Sequence, residues 1–385
     1  MDSPGAAPGR YYRPELDVVR FLAFLFVFLA HTLPHEGESR VVALLKGLAP
    51  FYFRSAAATV FGLSLFFTLS AFLICELLLR EKQAVGTVQV RQFYIRRILR
   101  IWPLYYLGLA LSLPFAFAPG AGRSTLIGMG WYALFLGPWY SGIDSVLSTP
   151  AGPLWSVSVE EQFYLFAPWV VKRCTRRSLF AFCILLILLS NIAIFLLGRA
   201  QVPTLRTWNN SFVQFECFAA GILLCLILRS RLPTFPLWQR TLIFAAGWLC
   251  WLAAVYLVHA GVIAVYAPSI PRLVGHYALA ALGSALMVLA FLGITPKLLP
   301  GWAIYLGRIS YGLYVYHGFA IYLTKRFLFS PVASYSSPVF LLKGLAALTL
   351  DVLIASISYR YFETPFLRMK TRHTLIQSQP IAGKD

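Results

Sequence analysis

The chain has 385 residues, of which 59% are apolar and 12% are charged, and its formal net charge is +19. An ordinary soluble domain carries about twice that charged fraction, so the composition excludes a soluble globular enzyme. The 31 Phe, 20 Tyr and 10 Trp residues are typical of buried and interfacial surfaces, which argues against a disordered or nucleic-acid-binding chain. The six cysteines form no CxxC pair, so we expect neither a disulfide framework nor a metal site.

Long apolar runs separated by short polar breaks predict an all-α polytopic membrane protein of about ten transmembrane helices. The predicted spans are 15–34, 57–79, 99–118, 154–171, 179–197, 211–229, 241–258, 275–293, 303–324 and 338–361. Most Lys and Arg residues outside the spans fall on the same side as both chain ends, which places both termini in the cytoplasm. We therefore expect a cytoplasmic N-terminus at 1–14, a transmembrane domain at 15–368 and a cytoplasmic tail at 369–385, with the first span retained rather than cleaved.

The first predicted span carries three ionisable residues, Asp17, Arg20 and His31. Arg20 and His31 are eleven residues apart, which is three helical turns plus about 20°, so both lie on one face about 16 Å apart. Arg20 is then near the cytoplasmic end and His31 near the outer end. Asp17 lies one turn before Arg20 and is expected to hold its guanidinium. Intramembrane charges mark functional sites, so this face is the first candidate.

Two further charged segments follow in chain order. In the sequence YIRRILRIWPLYY, Arg97 and Arg100 are three residues apart and face one way on a helix, where guanidinium groups suit phosphates. In the sequence LWSVSVEEQFY, Glu160 and Glu161 lie at a depth close to that of His31. Acids at that depth need a cationic or hydrogen-bonding partner, for which an imidazole is well suited.

The ninth predicted span contains His317, with Tyr314 one turn away, at a depth similar to that of His31. The position of His317 is equally compatible with a packing role and with a role in substrate binding. Arg308 lies near the inner end of the same span. Glu363 follows the last span and is expected to pair with Arg360 or Arg308 in a structural role.

Taken together, these segments resemble the acyltransferase-3 family of multi-pass membrane acyltransferases. The matching motifs, in family order, are the Arg-x10-His first span, FFTLSAFLI at 66–74 with Ala71 where the family has Gly, Arg-x-x-Arg at 97–100, LWSVSVEEQFY at 154–164, ISYGLYVYH at 309–317, and E-x-P at 363–365. The resemblance extends from about residue 15 to 368. Some members carry an additional hydrolase-like domain, which we do not expect after the last span here.

The resemblance implies O-acyl transfer from a cytoplasmic acyl-CoA, foremost acetyl-CoA, to a sugar hydroxyl of an envelope glycan or glycosylated metabolite. It implies that Arg20, Arg97 and Arg100 hold the CoA, that His31 is the catalytic base, and that Glu160 orients His31. We assign the substrate side to Glu161, Trp155, Tyr314 and His317, and structural roles to Asp17, Arg308 and Glu363. The expected partners are acyl-CoA, a glycan acceptor and the lipid bilayer of the cell inner membrane, without nucleic acid or a permanently bound cofactor; the oligomeric state stays open.

Two other classes of function use intramembrane charges. A secondary transporter would line a cavity with them, but no repeated halves are visible and the arginines gather at the cytoplasmic mouth instead of the midplane. A non-catalytic partner in polysaccharide export would not need the residues for chemistry. Uptake of a labelled acyl donor without covalent transfer would favour transport.

Overall fold

Within the described residues, all regular secondary structure is helical. The computed structural model describes residues 11–33, 49–118, 122–258, 269–328 and 337–376. Most of the predicted N-terminal segment and the end of the predicted tail lie outside these ranges. In chain order the α-helices are α1 (Pro14–Thr32), α2 (Ala49–Ala58), α3 (Gly62–Val85), α4 (Val90–Ser112), α5 (Arg123–Ala133), α6 (Asp144–Leu147), α7 (Trp155–Arg173), α8 (Arg176–Arg199), α9 (Thr204–Asn209), α10 (Ser211–Leu228), α11 (Leu237–Val258), α12 (Ile270–Phe291), α13 (Gly301–Arg308), α14 (Ser310–Leu323), α15 (Ser337–Ser358) and α16 (Thr364–Thr371).

Seven of the ten predicted spans are found as helical segments long and apolar enough to cross a membrane. These segments are Phe51–Val85, Val90–Phe117, Arg176–Arg199, Ser211–Leu228, Leu237–Val258, Ile270–Phe291 and Leu341–Thr371. Each exceeds or approaches the roughly 20 residues that span the hydrocarbon core. The prediction of an all-α polytopic membrane protein is therefore confirmed.

The three other predicted spans are helical but depart from the pattern of an apolar span. α1 carries three charged residues in its first two turns, and α7 carries two acids near its middle and two basic residues at its end. The ninth predicted span is divided into α13 and α14, which meet at Ile309. These three segments carry most of the candidate site residues, and the charged groups of α1 and α7 and the division of the ninth span distinguish them from uninterrupted apolar spans.

Both described chain ends lie at one end of the helix bundle, which we call the basic end. There the guanidinium of Arg80 lies 4.3 Å from the centre of the Tyr11 ring. Arg96 donates a hydrogen bond to the carbonyl oxygen of His373 at 2.9 Å. Because α1 begins and α16 ends at the basic end, the chain between them crosses the bundle an even number of times. The assignment of the basic end to the cytoplasm stays a prediction.

Aromatic packing holds the centre of the bundle together. The Phe218 ring of α10 stacks on Phe163 of α7 at 4.3 Å and contacts Phe67 of α3 at 5.1 Å between ring centres. All three side chains are fully buried. Such pairs add about 0.5–1.5 kcal/mol each beyond the burial of their surface. The helices α3, α7 and α10 therefore form a firm wall next to the site described below.

A glycine brings α13 into direct contact with α1. A methyl group at Gly307 would overlap the carbonyl oxygen of Asp17, so only glycine allows this approach. The contact places the basic end of α1, with its charged residues, against the α13–α14 pair.

Candidate active site

The charged residues of α1 are fixed by hydrogen bonds at the basic end. Arg20 donates from Nη1 to Oδ1 of Asp17, the contact that their i, i+3 spacing predicts. The hydroxyl of Tyr12 donates to the other carboxylate oxygen of Asp17 at 3.0 Å. Asp17 is buried, at 1% exposure, so both of its oxygens need these donors. The Arg20 guanidinium is therefore held in one direction.

That direction leads to a cavity of about 130 Å³ among α1, α3, α4, α7, α14 and α16. Four basic side chains line it, namely Arg20, Arg97, Arg100 and Lys370. The structure thus brings together the three arginines that the sequence analysis assigned to one ligand and adds a lysine. Like charges this close repel one another unless an anion or carboxylates compensate them. The arrangement is suited to a ligand with several negative charges.

Neighbouring arginines of α4 have different tasks. Arg96 forms an ion pair with Oε2 of Glu81 at 2.9 Å and holds the carbonyl of His373, so it braces helix ends. Arg97 instead lines the cavity, with its guanidinium 5.5 Å from the Phe93 ring centre and 5.8 Å from that of Tyr164. This difference is consistent with ligand binding by Arg97, whereas the guanidinium of Arg96 is already held by Glu81 and the carbonyl of His373.

The two adjacent acids of α7 also point to different surroundings. Glu160 lines the cavity, where the hydroxyls of Ser70 and Tyr164, 2.6 Å apart, lie against its carboxyl and Arg97 is within electrostatic reach. Glu161 lies outside the cavity wall and accepts a hydrogen bond from Nε1 of Trp102 at 3.0 Å. The neighbours of Glu160 are thus hydroxyls and a guanidinium, so its predicted orientation of His31 stays a prediction.

A row of polar aromatic rings leads from the cavity toward the opposite end of the bundle. Tyr314 lines the cavity, and its hydroxyl lies 2.6 Å from the hydroxyl of Ser156. The Tyr314 ring lies 5.4 Å from the ring of His317, which stacks on His31 at 5.3 Å with an angle of 11° between the planes. His31 is exposed, whereas His317 is fully buried. Among the described residues, Arg20 lines the cavity itself, whereas the rings of Tyr314 and His317 connect the cavity to His31.

Hydrogen bonding fixes the tautomer of His317. Its Nδ1 lies 2.6 Å from the carbonyl oxygen of Tyr314, which can only accept, so Nδ1 carries the proton of the neutral ring. The lone pair is then on Nε2, which is buried and has no hydrogen-bond partner among the described residues. A buried acceptor without a donor costs about 1–3 kcal/mol. A hydroxyl donor that reached this nitrogen would satisfy it.

The remaining predicted site residues lie around this arrangement. Trp155 is buried at the start of α7 and does not line the cavity formed by the described residues. The hydroxyl of Tyr12 lies close to Arg308, beside Asp17. Glu363 accepts from Ser358 at 3.4 Å and is within electrostatic reach of Arg100, rather than holding Arg360, whose guanidinium lies over the Tyr361 ring. The difference arises because the π-helical stretch after α15 directs Glu363 inward toward α14, where it packs against Gly312.

The sequence analysis did not identify several of the residues that line the cavity. Lys370 lies in the segment predicted as a tail, and Ser70, Ser156 and Tyr164 are ordinary hydroxyl side chains within apolar runs. Ser156 and Tyr164 could have been identified, because each lies four residues from Glu160 and shares its helical face. Lys370 carries no comparable signal.

The fold and the site define a polytopic helical membrane protein with a cavity of four basic side chains next to a pair of histidines. Comparison with known proteins identifies its family. The profile of the acyltransferase-3 family, described as "Acyltransferase domain", matches residues 13–358. The chain belongs to this family of membrane acyltransferases.

Curated relatives agree with this membership. The chain is 25% identical over 390 residues to the peptidoglycan O-acetyltransferase OatA of Listeria monocytogenes, covering 92% of this chain and 56% of that protein. It is 26% identical to a putative O-acetyltransferase of Staphylococcus aureus strain COL, covering 79% of this chain and 52% of the relative. It is 25% identical to the O-acetyltransferase OatA of Staphylococcus aureus strain NCTC 8325, with the same coverage. The chain thus spans about half the length of the curated relatives it matches. No solved structure matches it significantly.

Proposed function

We propose that the protein is an O-acyltransferase of the cytoplasmic membrane that moves an acyl group, in the first place acetyl, from cytoplasmic acyl-CoA to a sugar hydroxyl. The observation that carries the proposal is the convergence of Arg20, Arg97, Arg100 and Lys370 on one cavity at the basic end. The acceptor would belong to an envelope glycan or a glycosylated metabolite. The name of the Listeria relative, a peptidoglycan O-acetyltransferase, supports a glycan acceptor.

The cavity supports binding of an elongated donor in one orientation. Pockets for drug-sized ligands measure about 300–1,000 Å³, so a cavity of about 130 Å³ fits part of an acyl-CoA molecule rather than all of it. Guanidinium groups bind phosphates through paired, charge-assisted hydrogen bonds. The phosphates would therefore lie at the basic end, and the thioester would extend past Ser156 and Tyr314 toward the His317–His31 stack.

The chemistry assigned to His31 is general base catalysis. The imidazole removes the proton of the acceptor hydroxyl while that oxygen attacks the thioester carbonyl carbon. The tetrahedral intermediate then breaks its carbon–sulfur bond, and the leaving thiolate takes the proton from the imidazolium. The products are the sugar ester and free CoA, and the histidine returns to its neutral form. In this scheme Nε2 of His317 accepts a hydrogen bond from the acceptor hydroxyl, and Glu160 compensates part of the positive charge of Arg97.

A transfer assay with the purified chain tests the proposal. The chain is reconstituted in vesicles with radiolabelled acetyl-CoA and a panel of glycan acceptors, and both labelled ester and released CoA thiol are measured. The proposal predicts label in an alkali-labile ester, with one thiol released per ester formed. Label that enters the vesicles without ester formation would support transport instead. Absence of both signals with every acceptor, from protein that binds CoA, would support a non-catalytic partner.

A further inference from the structure

A lysine beyond the last predicted span completes the wall of the cavity. After α15 the helix continues through a five-residue π-helical stretch, Tyr359–Glu363, into α16, which packs against α4. This packing brings Lys370 to the wall of the cavity. The segment predicted as a cytoplasmic tail is therefore, in its described part, a component of the candidate donor site.

Lys370 stands between the cavity and a smaller pocket next to it. The smaller pocket, about 30 Å³, shares Lys370 and Arg97 with the cavity and is also lined by Thr374 and Ile376. Arg96 and Glu81, which are paired with each other, contribute to its lining. Lys370 thus borders both spaces at the basic end. A ligand too long for the cavity would extend along this lysine.

The positions along the bundle give such a ligand a direction. Tyr314 and Ser156 lie at the end of the cavity nearest the His317–His31 stack, whereas Lys370 lies at the basic end with the chain ends. An acyl-CoA whose thioester extends past Tyr314 would therefore have its phosphate-bearing nucleotide on the side of Lys370. The group at the nucleotide end of CoA that carries charge beyond the pyrophosphate is the ribose 3′-phosphate.

The charges favour an anion at this place. Arg20, Arg97 and Arg100 are all within electrostatic reach of Lys370. Repulsion among cations in a partly dry cavity is relieved when phosphates bind, so the cluster gains more from a highly charged donor than from a less charged one. Lysine acts as a point charge toward phosphate and does not need the paired geometry that arginine uses.

We propose that Lys370 binds the 3′-phosphate of the acyl-CoA donor and makes the protein select CoA over dephospho-CoA. The assignment rests on the proposed function, since it takes CoA as the donor. It goes further because it names the phosphate group that Lys370 binds.

Equilibrium binding tests the assignment without the acyl transfer reaction. Binding of CoA, dephospho-CoA and adenosine 3′,5′-bisphosphate is measured by calorimetry on the full chain in non-ionic detergent. The variants are Lys370→Gln, the conservative Lys370→Arg, and Arg360→Gln as a control that removes a positive charge from an exposed position over Tyr361. Thermal unfolding confirms that each variant is folded.

The expected result is a specific loss. The wild type should bind CoA about tenfold more tightly than dephospho-CoA, the size of one charged phosphate contact. Lys370→Gln should weaken CoA and the bisphosphate by about tenfold and leave dephospho-CoA unchanged, whereas Lys370→Arg and Arg360→Gln should keep the wild-type preference. Equal weakening of CoA and dephospho-CoA, or an unchanged preference in Lys370→Gln, would overturn the assignment.

Two further outcomes distinguish recognition of the 3′-phosphate from lipid binding and from a missing donor site. The measurements are repeated with phosphatidylglycerol added to the detergent; if Lys370→Gln changes only the effect of this lipid, the lysine binds a phospholipid headgroup and the assignment fails. A wild-type chain that binds no CoA at all would instead overturn the proposed function itself.

Discussion

Replacing Arg100 with glutamine removes one positive charge from the cavity and preserves much of the side-chain volume. Arg100 lines the cavity within electrostatic reach of Arg20 and Arg97. A hydrogen bond between an ionised donor and a phosphate contributes about 1.5–3 kcal/mol, which corresponds to a roughly 10- to 150-fold rise in the Kd for CoA. The repulsion among the arginines also falls, so the apparent Tm of the ligand-free protein should be maintained or should rise.

A matched control lies one turn earlier on the same helix. Arg96→Gln also removes one positive charge, but it breaks the ion pair with Glu81. The side chains of Arg96 and Glu81 are 11% and 4% exposed. Removal of one partner of a buried pair destabilises by about 3 kcal/mol. Arg96→Gln should therefore lower the apparent Tm while changing the Kd for CoA less than Arg100→Gln does.

Calorimetric CoA binding and thermal unfolding, both in the same detergent, provide the two measurements. The reasoning predicts opposite patterns, with affinity lost in Arg100→Gln and thermal stability lost in Arg96→Gln. Wild-type affinity in Arg100→Gln, together with a greatly weakened Arg96→Gln, would refute the location of the donor site in the cavity.

Substitutions at three other positions, two of them with matched comparison variants, test the remaining parts of the site and the fold. His31→Ala should lower acyl transfer by about 10²–10⁴-fold with CoA binding unchanged, because it removes the proposed base; a folded and fully active variant would refute that role. His317→Leu should reduce transfer more than His317→Gln, because glutamine still offers an acceptor in place of Nε2, and equal transfer in the two variants would contradict acceptor binding there. Gly307→Ala should destabilise the protein by about 1–3 kcal/mol, because its methyl group overlaps the Asp17 carbonyl. Gly301→Ala, where the added methyl meets nothing within 4 Å, should leave the apparent Tm unchanged, and equal Tm values for the two would argue against the close packing of α1 on α13.

Local spacing predicted those contacts that lie within one helix. The Asp17–Arg20 hydrogen bond follows from residues one turn apart, and the shared direction of Arg97 and Arg100 follows from helical periodicity, since both line one cavity. Long apolar runs predicted the seven helical segments because the hydrocarbon core requires a minimum apolar length.

Contacts between helices were harder to predict from the sequence. Glu160 was expected to need a partner, but the hydroxyls of Ser70 and Tyr164 came from the packing of α3 beside α7. Lys370 reaches the cavity because α16, which follows a π-helical stretch, packs against α4, and neither feature has a periodic signal in the sequence. The π-helical stretch also places Glu363 near Arg100. A residue pattern shows that a buried charge needs compensation, but tertiary packing selects the group that provides it.

The central claim is that the cavity at the basic end binds the acyl donor. A cryo-electron microscopy map of the full chain in nanodiscs with CoA tests it most directly. The account predicts density for the CoA phosphates beside Arg97, Arg100 and Lys370, with the thiol end directed toward Tyr314. CoA bound elsewhere on the protein, with this cavity empty in the same map, would contradict the account.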